Sequence, residues 1–294
     1  IESQGELHEA FTAKIVKELR AARTPPRTLY FGGGTPSLLE TAQISRMIGA
    51  AGGAPVEITV EANPERFDAA GLKSAGVTRL TLGVQSLQDA VLRRLGRGHD
   101  AEGARRAYRE AVRSIDNVCV DLMFGVPGLD LAGWKATLEE VRSWRPAHVS
   151  LYGLAYEEGT PFAKIRDRLP EEEERIQYEL AMDALSDYRH YEISNWALPG
   201  FESLHNRAYW EGRPYLGFGP GAHSYREGRR WWNLANVREY LEREHVMLGE
   251  ELLTEEQKHV ERLLLGLRQD AGVELERIPE GLEAYLERRE GRVR

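Results

Sequence analysis

The sequence has 294 residues, with 47 acidic and 39 basic side chains and a net charge of -8 at pH 7. Apolar residues make up 41% and charged residues 29%, as in ordinary soluble globular proteins. The acidic balance, without a strongly basic segment, argues against nucleic-acid binding as the main task. Because there is no long apolar run and no signal-peptide pattern, we expect a cytoplasmic protein with at most peripheral membrane contact.

Predicted helices and strands alternate through the first half of the chain. The opening helical segment, residues 5–22, has no predicted strand before it. Strands are predicted at Thr28–Phe31, Glu57–Glu61, Arg79–Gln85, Val118–Leu122 and His148–Tyr152. Amphipathic segments lie near residues 38–51, 66–75, 87–95, 101–114 and 132–144. This alternation is typical of parallel βαβ units and predicts an α/β fold with a parallel sheet.

The second half changes in composition. A charged connection and a helix occupy residues 160–187, and a short strand is predicted at Tyr191–Ser194. A segment rich in aromatic residues and glycine follows, and from residue 237 the pattern is helical and charged. We therefore predict two domains: a βα barrel with its aromatic and glycine-rich extension at 1–236, and an incomplete helical domain at 237–294.

Three consecutive glycines, Gly32 to Gly34, follow the strand Thr28–Phe31. Without side chains, the backbone there can approach a ligand closely. In βα folds, small molecules bind at this end of the strands. The loop does not match a phosphate-binding pattern, because no Gly-Lys-Ser/Thr or Gly-x-Gly-x-x-Gly is present.

Alternation along the strands places Glu61, Gln85 and Asp121 on the side opposite to their aliphatic neighbours. Since helices must cover the aliphatic side, we expect these three polar side chains to point inward at the strand ends. Buried polar groups without partners cost about 1–3 kcal/mol each. The pattern therefore favours a polar, positively charged ligand, the alternative being a wet barrel mouth whose side chains satisfy one another.

The sequence contains one cysteine, Cys119, in the apolar run Val118-Cys119-Val120. One thiol forms no internal disulfide and builds no thiolate metal site alone. We expect a buried strand residue rather than a reactive thiol.

Five ordered motifs resemble one enzyme family. They are Phe31-Gly-Gly-Gly-Thr-Pro-Ser37, Val60-Glu-Ala-Asn-Pro64, Leu82-Gly-Val-Gln-Ser86 with Leu95-Gly-Arg97, Val120-Asp-Leu-Met-Phe-Gly-Val-Pro-Gly128, and Ser150-Leu-Tyr-Gly-Leu154. They look like the radical S-adenosylmethionine enzymes of the oxygen-independent coproporphyrinogen III oxidase group. Within that group, the chain most resembles the HemW heme chaperones.

The resemblance implies a partial (β/α)6 radical-SAM barrel, here lacking its first strand, with a small, mostly helical C-terminal domain. It also implies that S-adenosylmethionine lies across the strand ends and that Gly217–Ser224 lies beside it. The residues that it assigns to this cofactor are Gly33, Gly34, Thr35, Glu61, Gln85, Arg97, Asp121 and Ala155.

A second motif, His205-Asn206-Arg207-Ala208-Tyr209-Trp210, resembles the heme-associated motif of HemW proteins. The resemblance assigns His205, Asn206, Tyr209 and Trp210 to heme. Histidine ligates heme iron, and large aromatic rings pack on porphyrins. The alternative is a structural histidine with aromatic residues that fill a core.

The family's Cys-x-x-x-Cys-x-x-Cys loop, which holds a 4Fe–4S cluster, does not occur in this sequence. We expect that loop, together with the missing first strand, upstream of Ile1 in a longer natural chain. No residue of this chain is therefore assigned to the cluster.

Three functions follow from the sequence as alternatives. The first is a heme chaperone with a heme-acceptor protein and an electron donor as partners. The second is an oxygen-independent coproporphyrinogen III oxidase, and the third is an ordinary βα-barrel aldolase or isomerase. Whether the chain is an enzyme, which protein accepts the heme and how many subunits assemble stay open at this point.

Overall fold

The computed structural model describes residues 4–164 and 167–274, together with residues 286, 288–289 and 292–293. Its helices are α1 (Gln4–Ala22), α2 (Thr41–Ala51), α3 (Ala69–Ser74), α4 (Asp89–Arg94), α5 (Ala101–Ala111), α6 (Leu131–Trp144), α7 (Glu171–Ala184), α8 (Leu204–Trp210), α9 (Val237–Glu242) and α10 (Glu255–Gly266). Its strands are β1 (Thr28–Phe31), β2 (Glu57–Ala62), β3 (Arg79–Gln85), β4 (Asn117–Phe124), β5 (His148–Gly153), β6 (Arg189–Glu192), β7 (Asn195–Ala197), β8 (His223–Arg226), β9 (Arg229–Asn233), β10 (Met247–Leu252), β11 (Arg288–Arg289) and β12 (Arg292–Val293).

The chain divides into two compact units. The first comprises residues 1–29, 39–57 and 203–294, and the second comprises residues 30–38 and 58–202.

The second unit is organised on a seven-stranded sheet with the order β1-β2-β3-β4-β5-β7-β6. β2 pairs in parallel with β3, β3 with β4 and β4 with β5, and β7 is antiparallel to both β5 and β6. All five strands predicted in the first half are present. The predicted α/β class with a parallel arrangement of these strands is confirmed.

The strand predicted at Tyr191–Ser194 is confirmed at Tyr191 and Glu192, which end β6, whereas Ile193 and Ser194 form the turn of a hairpin. β6 ends at Glu192 and β7 begins at Asn195. The carboxylate of Glu192 accepts hydrogen bonds from the Ser194 backbone N–H, at 3.2 Å, and from the Asn195 amide. These local bonds favour a turn over a continuous strand.

The aliphatic side of the parallel strands is fully buried, as alternation predicts. Val60, Leu80, Val118 and Val149 show 0% exposure. Burial of such side chains stabilises the fold by about 1.5–3 kcal/mol each. This packing fixes the register and therefore fixes which side chains point the other way.

The first unit contains a three-stranded antiparallel sheet with the order β10-β9-β8. β10 lies in the segment that was predicted to be helical, and the sheet crosses the expected domain boundary between residues 236 and 237. Most β10 side chains are exposed, so no apolar alternation marks the strand in the sequence. Its backbone pairing with β9 defines it instead. Much of the predicted helical domain after residue 274 lies outside the described residues.

No helix in the described part of the chain is both long enough and apolar enough to cross a bilayer.

Candidate functional site

The glycine loop after β1 has one packed residue and two open ones. A Cβ added to Gly32 would lie 2.6 Å from Tyr30 Cε1 and 2.8 Å from Glu61 Oε1. A Cβ at Gly33 or Gly34 would meet nothing within 4 Å, and Gly33 has a φ of +79°. The loop therefore rests on Tyr30 and Glu61 and leaves open space at its next two residues, where a ligand can approach the backbone.

Glu61 receives a short hydrogen bond from Tyr30. The Tyr30 hydroxyl donates to Glu61 Oε1 at 2.6 Å. Burial raises the pKa of Tyr30 well above its usual value, and the negative charges of Glu61 and Asp121 raise it further. The phenol thus keeps its proton and holds the Glu61 carboxylate, while Glu61 and Asp121 are close enough to act on the same group.

Asp121 lies on β4 opposite Ser150 of β5. Burial raises the pKa of Asp121 to about 7, and the negative charge of Glu61 adds to the rise. Hydrogen bonds from Ser150 and from the Cys119 thiol, and the charge of Arg79, act in the opposite direction. Near neutral pH this carboxyl therefore exists in both protonation states, and a neighbouring cation would favour the ionised one.

Cys119 is confirmed as a buried strand residue. It is 1% exposed on β4, and burial raises the pKa of its thiol, so it keeps its proton. A buried, protonated thiol is a poor nucleophile.

Asn63 connects several polar side chains of the same region. Its amide Nδ2 donates to Thr35 Oγ1 at 3.3 Å, and Arg97 Nη1 donates to Asn63 Oδ1 at 3.4 Å. A Cβ at Gly83 would lie 3.0 Å from Gln85 Nε2 and 3.4 Å from Asn63 Oδ1, so both amides border the same glycine. The structure thus brings Thr35, Gln85 and Arg97 around one residue.

Asn63 is a site residue that sequence reasoning missed. Its signal was present, because it shares the strand side of Glu61 two positions later. Gln85 is unusual in another way: its φ is +67°, and the strand register shifts between Leu82 and Gln85. A non-glycine residue in this conformation carries strain, which is typical of functional positions.

Ala155 stands apart from these contacts. It lies in the exposed loop after β5, and within the part of the chain that the structure describes no side-chain hydrogen bond reaches it from the other predicted residues.

The second candidate site is helix α8 of the first unit. Both carboxylate oxygens of Glu57 accept backbone hydrogen bonds at its N-terminus, from Leu204 N at 3.1 Å and from His205 N at 2.9 Å. The Ser203 hydroxyl caps the same turn by accepting from Asn206 N. A carboxylate and a hydroxyl at this end satisfy N–H groups that a helix leaves open.

The His205 ring is held on both sides. Its Nδ1 shares a hydrogen bond with Thr28 Oγ1 at 2.8 Å, and its Nε2 shares one with the Tyr209 hydroxyl at 3.2 Å. Burial lowers the pKa of His205, although Glu57 opposes the shift, so the ring is neutral at pH 7. In this state His205 is a satisfied, partly buried histidine, and iron ligation requires Nε2 to leave Tyr209.

The aromatic residues of α8 have different environments. Tyr209 is 38% exposed and meets Tyr215 edge to face, with ring centroids 4.6 Å apart. The guanidinium of Arg268 lies 5.3 Å from the ring centre of Trp210. Trp210 Nε1 is buried and has no hydrogen-bond partner among the residues that the structure describes. Asn206 lies on the first turn of the same helix, where its backbone N–H donates to Ser203 Oγ at 3.3 Å.

Comparisons with known proteins identify the class first. The Radical SAM superfamily model matches residues 4–141, so this part of the chain carries a radical SAM domain. The fold is that of coproporphyrinogen III oxidase (HemN) from Escherichia coli, with a TM-score of 0.76 at 21% identity over 92% of this chain and 70% of the other.

Sequence relatives then give the family. The heme chaperone HemW of Lactococcus lactis is 33% identical over 97% of this chain and 80% of the relative. The heme chaperone HemW of Bacillus subtilis is 35% identical over 86% of this chain and 73% of the relative. The chain belongs to the HemW heme chaperone family.

The residues at the strand ends fit S-adenosylmethionine. Two neighbouring carboxylates suit its sulfonium and ammonium groups, the Arg97 guanidinium suits its carboxylate, and the loop at Gly33 is open. The donor set does not fit an iron–sulfur cluster, because Cys119 is the single cysteine of the sequence and is buried. Within the described residues, no group of three His, Cys, Asp or Glu side chains could hold a metal ion.

Proposed function

We propose that the protein is a cytoplasmic heme chaperone that binds heme and S-adenosylmethionine and delivers heme to an acceptor protein. The observation that carries this proposal is the likeness to HemW heme chaperones over nearly the whole chain. A 4Fe–4S cluster and its electron donor belong to the same proposal, with cluster cysteines that this sequence does not contain.

We assign heme to α8, with His205 as the iron ligand. Iron binds a neutral imidazole nitrogen, and the low pKa of His205 keeps the ring neutral. If Nδ1–H donates to Thr28 Oγ1, the lone pair of Nε2 faces Tyr209 and becomes the ligating atom once that hydroxyl moves.

The exposed ring of Tyr209 supports the same assignment. A porphyrin presents a large apolar face, and exposed aromatic rings stabilise such faces by contact. Asn206 and Trp210 complete the proposed heme residues because they lie on the same helix.

S-adenosylmethionine is assigned to the strand ends of the second unit. Glu61 and Asp121 would hold its positively charged groups, and Arg97 would pair with its carboxylate. Gly33 and Gly34, which have no side chains, would let its methionine part approach the backbone. Thr35, Gln85 and Ala155 would line the same pocket. When bound, this cofactor supplies a radical only together with a reduced cluster.

A heme titration tests the heme assignment. We expect His205→Ala to weaken binding at least roughly tenfold and to alter the heme absorption spectrum, because an iron ligand is lost. The matched control is His245→Ala, which removes an exposed histidine of the same unit and should bind heme like the parent. Equal binding by the His205 variant and the parent would show that His205 does not ligate heme.

The oxidase alternative rests on the fold shared with the Escherichia coli enzyme. To test it, a form of the protein that carries a reconstituted cluster is incubated with coproporphyrinogen III, S-adenosylmethionine and a reductant. We expect no decarboxylated product, and formation of vinyl-bearing porphyrinogen would replace the chaperone proposal.

A further inference from the structure

A chain of buried polar side chains ends on Asp121. The Tyr191 hydroxyl lies 2.8 Å from His148 Nε2, and His148 Nδ1 lies 2.9 Å from Cys119 Sγ. Cys119 Sγ lies 3.4 Å from Asp121 Oδ1. Tyr191, His148 and Cys119 are each at most 2% exposed, so water does not compete for these contacts.

The sheet register brings these groups together. Cys119 pairs with His148, and Asp121 pairs with Ser150, along the parallel strands β4 and β5. The Ser150 hydroxyl lies 3.2 Å from Cys119 Sγ and also bonds to the Asp121 carboxyl. This chain of hydrogen-bonded side chains therefore connects strand β6 with the candidate S-adenosylmethionine site.

Each link carries one proton at neutral pH. Burial and the charge of Arg79 lower the pKa of His148 far below its usual value, so the ring is neutral and has one N–H. Burial keeps the Cys119 thiol protonated. When each group in a row carries one proton, it donates a hydrogen bond to one neighbour and accepts one from the other. All the hydrogen bonds of the row therefore point the same way.

We propose that Tyr191, His148 and Cys119 are positioning residues for Asp121, and that their hydrogen bonds run toward the carboxylate when it is ionised and reverse when it is protonated. In the ionised state Tyr191 donates to Nε2, Nδ1–H donates to Sγ, and the thiol donates to Asp121. In the protonated state Asp121 donates to Sγ, the thiol donates to Nδ1, and Nε2–H donates to Tyr191.

The proton count balances with one proton taken up at Asp121. His148 stays neutral in both states. Its single ring proton changes position between Nδ1 and Nε2 by exchange with solvent when the structure opens locally. Heavy atoms need not move, because each hydrogen bond persists with donor and acceptor interchanged. The chain thereby holds the carboxyl in one orientation in both protonation states.

The groups around Asp121 set its pKa and therefore the pH at which the hydrogen bonds reverse their direction. Those that act on its charge or bond to it come from four strands of the sheet: Glu61 on β2, Arg79 on β3, Cys119 on β4 and Ser150 on β5. Asp121 in turn acts on the hydroxyls of Tyr30 and Tyr152, and Glu192 also faces Tyr152. A pKa of about 7 places the reversal near neutral pH.

The part of the inference that concerns S-adenosylmethionine rests on the proposed function, in which this ligand binds at the strand ends. A bound sulfonium or ammonium group favours the ionised carboxylate, and through the chain it favours the Nδ1–H tautomer of His148. Cys119 and His148 would thus influence S-adenosylmethionine affinity without touching the ligand.

Nitrogen-15 NMR of histidine-labelled protein tests the chain without any ligand. We expect the His148 tautomer to change from Nε2–H at about pH 5.5 to Nδ1–H at about pH 8.5. Cys119→Ala should abolish this change and Cys119→Ser should restore it, because a hydroxyl both donates and accepts. A single tautomer across this pH range in the unmodified protein overturns the inference.

Calorimetric titration with S-adenosylmethionine adds a functional readout. Cys119→Ala should shift the midpoint of the affinity-against-pH profile upward, because a hydrogen bond to the charged form is lost. Tyr191→Phe should weaken binding several-fold, whereas Tyr188→Phe should not. Tyr188 is the matched control, because its buried hydroxyl donates to Pro146 O at 3.0 Å and joins no part of the chain.

The two proposals fail in different ways. If the unmodified protein does not bind S-adenosylmethionine at any pH, the ligand assignment under the proposed function is wrong, and the His148 tautomer alone decides the inference. If the ligand binds but Cys119→Ala and Tyr191→Phe leave its pH profile and affinity unchanged, the positioning role is wrong.

Discussion

At the strand ends of the second unit, Tyr30, Glu61 and Asp121 come from three different strands. In the first unit, the four candidate heme residues all lie on the seven-residue helix α8. The first arrangement follows from sheet register, since each side chain is placed by backbone pairing along its strand. The second depends on Thr28 and Glu57, which hold the helix from positions about 150 or more residues earlier in the chain.

The difference also appears in charge. The strand-end site has two carboxyl groups that act on each other, and burial makes one of them titrate near pH 7. The helix site has a neutral histidine between a threonine and a tyrosine. A cationic ligand suits the first site, and a metal in an apolar macrocycle suits the second. We therefore expect substitutions in the two regions to affect the binding of different ligands.

Substitution of the glycine loop should give the largest effect. Gly32→Ala places a methyl group against the Tyr30 ring and the Glu61 carboxylate, so we expect a loss of stability of about 1–3 kcal/mol and loss of S-adenosylmethionine binding. Denaturant unfolding and ligand titration measure both. Gly34→Ala is the control, because it meets no atom within 4 Å and should fold like the parent. Equal stability of the two variants would show that the loop does not pack on Glu61.

Replacement of Asp121 should change how stability depends on pH. Because the folded pKa of about 7 lies above the unfolded value of 3.8, the native state binds more protons between these values and stability falls as pH rises. Asp121→Asn should therefore stabilise the protein by about 1–3 kcal/mol at pH 8 and by little near pH 4. Urea unfolding at both pH values measures this. A gain that is equal at both would contradict the raised pKa.

Removal of a buried hydroxyl should give a smaller effect on the same strand side. Thr59 Oγ1 is fully buried and has no partner in the described part of the chain. We expect Thr59→Val to stabilise the protein by about 1 kcal/mol, because an unsatisfied polar group disappears while the shape is kept. Thermal unfolding measures the change, and destabilisation would mean that an internal water satisfies this hydroxyl.

The smallest effect is expected at the helix. Tyr209→Phe removes the hydroxyl that competes for His205 Nε2, so heme should bind about two- to fivefold more tightly. Tyr215→Phe is the matched control, because it removes the hydroxyl of the ring that packs edge to face on Tyr209 and keeps that ring in place. Spectroscopic heme titrations compare the three proteins. Weaker binding by Tyr209→Phe would show that the hydroxyl assists heme rather than competing with it.

Much of the second unit could be predicted from local patterns. Thr28–Phe31 and Arg79–Gln85 were predicted to the residue, because an apolar run that ends at three glycines marks the first and a two-residue alternation marks the second. The strand β10 could not be predicted, since its exposed side chains show no alternation and only the pairing with β9 defines it. The hairpin at Glu192 was hidden for a similar reason, because a side chain bonding back to the backbone interrupts an otherwise strand-like sequence.

The sequence by itself determined the α/β class and the strand side that Glu61 and Asp121 occupy opposite their aliphatic neighbours, because these depend on the two-residue period of a strand. It also determined the open loop at Gly33 and Gly34, because glycine has no side chain. Its motifs also determined the family. The tertiary structure alone decided that Asn63 connects Thr35 with Arg97, that Thr28 and Glu57 hold α8, and that a polar chain from Tyr191 reaches Asp121. Such contacts join residues far apart in sequence, where only the packed backbone brings donors within reach of acceptors.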